Sequence, residues 1–117
     1  LDRHKNLEDY IEAKKIIFKY QSKKDFFITN YEEEMLRKAA FQAPSQVYFF
    51  SRERILSEII GRESKFNPGC FIKNEKISFG YQEQTIAELK DIQLLGKHNL
   101  SNILAAATAA LLMRVHP

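Results

Sequence analysis

In "NLEDYIEAKKIIFKYQ" apolar residues recur at helical spacing: Leu7, Tyr10, Ile11, Ile17 and Phe18 share one face, with Lys14 among them. Asn6 is placed to cap this helix, and Glu8 and Asp9 fall in its first turn, where the dipole favours negative charge. "DFFIT", Asp25 to Thr29, has no helical period and the length of a buried strand. Behind it, "NYEEEMLRKAA" opens on a second capping Asn, Asn30, and predicts another helix. Past Pro44, "SQVYFFS" predicts a strand from Gln46 to Phe50. Helices alternating with short apolar strands predict an α/β fold with an open, mainly parallel sheet flanked by helices.

Further along, "RERILSEIIG" fits either a short amphipathic helix or an irregular connection. "GCFIKNEKISFGY" alternates on both sides of Asn74 and Glu75 and predicts a β-hairpin turning at that pair. "QTIAELKDIQLLG" supplies one more strand, around Ile86 to Leu89 or Ile92 to Leu95. The final element is an Ala-rich helix from Leu100 to Val115, in which Ala105, Ala106, Ala107, Ala109 and Ala110 would permit close packing on the sheet. No repeat and no linker divides the chain.

Composition narrows the function classes. In 117 residues, 44% hydrophobic content with nine Phe and five Tyr is enough to build one core. The net charge of +3 is dispersed along the chain, which argues against a nucleic-acid surface. The longest apolar run, Ile103 to Met113, is far shorter than the roughly 20 residues of a membrane span, so no membrane partner is expected. The single cysteine, Cys70, cannot form an internal disulfide and reads as a half-buried strand residue. With no signal peptide and a reducing environment indicated, the expected location is cytoplasmic. The opening on Leu1 and the charged "DRHKN" suggests a piece of a longer chain.

Two features carry candidate chemistry. Lys14 is a lysine on an apolar helix face. Desolvation there favours the neutral amine, which can add carbon dioxide to give a carbamate, a two-oxygen anion suited to Mg²⁺. In "LLGKHNLSNILAAATAALLM", Asn99 and Asn102 are three residues apart at a helix mouth. Helix capping is the commoner use of such an Asn. Two amides on one side of a first turn can also read a ring edge that presents a donor beside an acceptor, as adenine does.

"LDRH", "YIEAKKIIF" and "LLGKHNLSNILAAATAA", in that order and at this separation, resemble the Mur ligases, ATP-dependent amide-bond-forming enzymes of peptidoglycan precursor synthesis. The pairing of "LDRH" with "GKHN" favours the D-glutamate-adding branch, implying UDP-N-acetylmuramoyl-L-alanine and D-glutamate as substrates and ATP and Mg²⁺ as cofactors. On this resemblance Lys14 occupies the position of the carbamylated, Mg²⁺-positioning lysine and Tyr10 that of a tyrosine on the same active-site helix. Asn99 and Asn102 match the asparagines beside adenine, and His98 accompanies them. Asp2, Arg3 and His4 fall in the "LDRH" signature, whose metal-binding His would precede Leu1. Where the family often has "NADD", this chain has "NYEEE", and no chemistry is assigned to it.

The sequence contains no G-x-x-G-K-[ST] phosphate loop. Residues 1–117 are therefore expected to be the second half of a central ATP-binding domain, with the phosphate-loop half and the C-terminal domain outside the chain. Such a piece should be catalytically inactive and, through a free sheet edge, inclined to self-associate. Rival readings are another Mur-type ligase, a folylpolyglutamate synthase relative, or a non-catalytic nucleotide-binding or interaction module.

Overall fold

The computed structural model describes residues 3–93 and 100–115. Its elements follow the order α1 (Arg3–Phe18), β1 (Phe26–Asn30), α2 (Glu34–Ala40), β2 (Gln46–Ser51), α3 (Leu56–Ile59), β3 (Phe66–Lys73), β4 (Lys76–Phe79), β5 (Gln84–Glu88), α4 (Leu89–Gln93) and α5 (Leu100–Val115). The strands form one sheet in the order β1-β2-β3-β4-β5. β1, β2 and β3 pair in parallel, Phe27 opposite Val47 and Tyr48 opposite Asn67. This is the α/β part of the chain, where helices connect the strands. The predicted hairpin then adds β4 antiparallel to β3, and β5 extends it, again antiparallel.

Both faces of the sheet are covered. On one, Phe18 of α1, Ala40 of α2, and Leu56 and Ile60 at α3 pack over Val47, Phe49 and Phe71. On the other, Leu104 of α5 packs over Phe50, Cys70 and Ile77, with Ile28, Ile86 and Ile92 at the margin. Burying one such Leu or Phe contributes about 1.5–3 kcal/mol. Two-sided coverage explains why β2 reads as a continuous apolar run. The strand at Gln84–Glu88 settles the alternative left by "QTIAELKDIQLLG": Ile92 enters the second core from a helix rather than from a strand.

Several local expectations need correction. Since α1 starts at Arg3, Asn6 lies within the helix and the first turn contains no acid. Only part of its apolar stripe faces inward. Phe18 is buried and Tyr10, Ile11 and Lys14 are half-buried, whereas Ile16 and Ile17 are 65% and 49% exposed. Nor does Asn30 cap α2. The cap position is Glu33, without a side-chain bond, and Asn30 Oδ1 instead accepts the Glu32 N–H at 3.0 Å, closing a turn directly after β1. Cys70 is fully buried, and burial pushes its thiol pKa up, so it packs as a small apolar residue.

Of the alanines of α5, Ala105 and Ala107 pack against the second core, whereas Ala106 and Ala110 are exposed. The closest approach is at Gly69, where an added Cβ would stand 2.6 Å from the Phe49 carbonyl oxygen and 2.7 Å from Thr108 Cγ2. Between the pairs Phe49 with Pro68 and Ser51 with Phe71, β3 carries an extra residue. The Cys70 N–H in that bulge donates to Thr108 Oγ1 at 3.0 Å. Thr108 in turn donates to Leu104 O within its own helix, at 2.8 Å.

Candidate functional site

Tyr10, Lys14 and Phe18 are four residues apart and form the inward stripe of α1. Phe18 packs edge-on against Phe27 of β1, their ring centroids 5.2 Å apart. One turn towards the start of α1, Lys14 Nζ stands 5.4 Å from the Tyr10 ring and 6.0 Å from the Phe27 ring. No carboxylate among the described residues pairs with this amine. The Tyr10 hydroxyl keeps its proton beyond the ordinary phenol range, through partial burial and then through the nearby charge of Glu33. It is available there as a donor.

Beyond Phe27 on the same face of β1 comes Thr29. It is 3% exposed, and its hydroxyl has no hydrogen-bond partner among the described residues. The chain then turns at Asn30 towards Glu32, whose carboxylate accepts from Ser51 Oγ and, at 2.7 Å, from the Arg52 N–H. Ser51 Oγ also accepts the Arg54 N–H at 2.9 Å. Glu32 thus clamps the ends of β1 and β2, which is where open parallel sheets hold their ligands. Sequence reasoning missed this junction. The signal was the acidic run in "NYEEE" directly after the strand.

The candidate residues divide between the two faces. Tyr10 and Lys14 come together on the face covered by α1 and α2. Asn102 lies in the first turn of α5, on the opposite face, exposed and turned away from the inward stripe of Leu104, Thr108 and Leu112. His98 and Asn99 lie outside the described residues, as does Asp2, while Arg3 and His4 open α1. Among the described residues no three His, Cys, Asp or Glu side chains cluster as a metal site. A Mg²⁺ held at α1 would gain two oxygen ligands from a carbamate on Lys14. The half-buried amine, with no carboxylate partner among the described residues, fits that modification.

The sequence profile of the Mur ligase middle domain matches residues 1–110. The chain belongs to the Mur ligase family. Relatives named UDP-N-acetylmuramoylalanine--D-glutamate ligase include that of Acetivibrio thermocellus, 36% identical over 113 residues, with 95% of this chain and 22% of the relative covered. The Alkaliphilus metalliredigens protein is 34% identical over 117 residues, covering 98% and 24%, and that of Clostridioides difficile 32% over 116, covering 98% and 24%. This Mur ligase chain thus spans about a quarter of the length of the relatives it matches. No described helix is long and apolar enough to cross a membrane.

Proposed function

We propose that this chain is the second half of the middle domain of an ATP-dependent, cytoplasmic ligase that adds D-glutamate to UDP-N-acetylmuramoyl-L-alanine. The phosphate-loop half and the amino-acid-binding domain would lie elsewhere in the protein, and the chain alone would be inactive. The shared name of the relatives favours this branch over other Mur-type ligases and over folylpolyglutamate synthase. The observation that carries the catalytic part is Lys14, half-buried beside two aromatic rings with no carboxylate partner among the described residues.

In the reaction, the substrate carboxylate attacks the γ-phosphorus of ATP, giving an acyl phosphate and ADP. The amine of D-glutamate then adds to the acyl carbon, phosphate leaves, and an amide forms. Mg²⁺, when bound, neutralises charge on the transferring phosphoryl group. A carbamate on Lys14 would supply oxygen ligands to that metal, and Tyr10 would hold the Lys14 chain laterally. Asn99 and Asn102, with His98, would contact the adenine and contribute binding rather than chemistry.

The test is phosphate release by the full-length protein. It should require ATP, Mg²⁺, UDP-N-acetylmuramoyl-L-alanine and D-glutamate together, and Lys14→Ala should remove most of the turnover. Release indifferent to D-glutamate, or wild-type turnover in Lys14→Ala, overturns the reading.

A further inference from the structure

The buried hydroxyl of Thr29 stands out among the described residues, because a polar atom removed from water without a partner destabilises the fold and calls for an explanation. Its place relative to Lys14 follows from the packing of α1. Phe18, at the end of α1, meets Phe27, near the start of β1, and α1 lies against α2, which follows the end of β1. The helix and the strand therefore run in opposite directions. From the Phe18 and Phe27 contact, four residues of helix lead back about 6 Å to Lys14. Two residues of strand lead forward about 6.6 Å to Thr29, on the same face. Lys14 and Thr29 come level. Helical side chains lean towards the start of their own helix, which aims Nζ past Phe27 in the direction of Thr29.

We propose that Thr29 is a positioning residue whose hydroxyl donates to a carbamate oxygen on Lys14 and so favours the modified lysine. The inference rests on the Lys14 reading above. In forming the carbamate, the neutral amine of Lys14 attacks the carbon of CO₂. An N–C bond forms, one C–O π bond becomes the anionic oxygen, and a proton passes from nitrogen to water. The product has an anionic acceptor where the amine had none, and Thr29 supplies a desolvated donor with no competing partner. Tyr10, with its protonated hydroxyl, flanks the same anion from α1, and Glu33 is the nearby like charge that such a donor offsets.

The experiment follows the Lys14 carbamate by ¹³C NMR in the full-length protein equilibrated with ¹³C-bicarbonate, the signal being assigned by its loss in Lys14→Ala. Thr29→Val, nearly equal in shape, should lower carbamate occupancy at fixed pH and CO₂ about fivefold or more, the range of a lost charge-assisted hydrogen bond. Thr29→Ser, which keeps the donor, should restore it, and Thr29→Ala should repeat the loss if the Val variant does not fold. Wild-type occupancy in a folded Thr29→Val or Thr29→Ala protein overturns the role of Thr29 and leaves the Lys14 reading intact. A wild-type protein with no Lys14-dependent signal overturns both.

Discussion

The backbone N–H of Cys70 donates to the hydroxyl of Thr108 at 3.0 Å, joining the bulge in β3 to the middle of α5. This bond satisfies a donor that the bulge removes from regular pairing, and Gly69 beside it lets the helix approach. Thr108→Val keeps the shape and removes the acceptor, leaving a buried N–H unpaired. The expected loss is about 1–3 kcal/mol in urea unfolding, with Thr108→Ser recovering most of it. A Val variant as stable as the wild type would show that the bulge has another acceptor.

The hairpin turn places Asn74 at φ 51° and Glu75 at φ 61°. Asn tolerates the left-handed region, whereas Glu adopts it at a cost. Glu75→Gly should therefore stabilise the protein by about 0.5–1 kcal/mol, the relief of strain exceeding the extra freedom of the unfolded chain. Loss of stability on this change would mean that the Glu75 side chain makes a compensating contact.

The ladder of helices and strands was legible because its periods are clean: two-sided burial made β1 and β2 continuous apolar runs, and alternation around Asn74 and Glu75 gave the hairpin. Helix ends were less so. Asn30 looked like a cap, yet an Asx turn also suits an Asn followed by polar residues, and the strand end used it that way. The bulge at Gly69 and its pairing with Thr108 join positions far apart in sequence, which no local period reports. Lys14 was legible as a cation within an apolar stripe. Thr29 and Glu32 were not, because their significance lies in partners across the sheet, or in the lack of one.

Lys73 links the hairpin to α3 through Glu83, at 2.7 Å, and Glu58, at 3.5 Å, while Ser57 Oγ donates to Glu83 at 2.7 Å. The Lys73 and Ser57 contacts hold the Glu83 carboxyl below its ordinary value of 4.5. The stability it adds is fully present above that ordinary value and is lost as pH falls through the depressed folded value. For Lys73, raised mainly by Glu83, the contribution is present below its ordinary value of 10.5 and disappears as pH rises through the raised one. The melting-temperature gap between wild type and Glu83→Gln should thus be small, flat through neutral pH, and close in acid. A gap that widens in acid would contradict this assignment.

Asn102 is exposed in the first turn of α5, with no described partner that would make it structural. If it and Asn99 contact adenine, replacing both by Ala removes binding common to ground and transition states. In the full-length ligase the KM for ATP should then rise about tenfold or more, equivalent to about 1.4 kcal/mol, with kcat little changed. An unchanged KM would show that neither amide contributes to nucleotide binding.

At the end of α1, Ile16 and Ile17 are 65% and 49% exposed, and Tyr20, in the turn that follows, is 81% exposed. Nearby, β1 has a strand neighbour on one side only among the described residues. Apolar exposure beside an open strand edge favours association. The 117-residue chain alone should accordingly show a sedimentation coefficient that rises with concentration. Placing a charge in the patch with Ile17→Glu should weaken that rise without lowering stability much, because Ile17 buries only about half its surface. A strictly monomeric wild-type chain at its solubility limit would show that this face needs no cover.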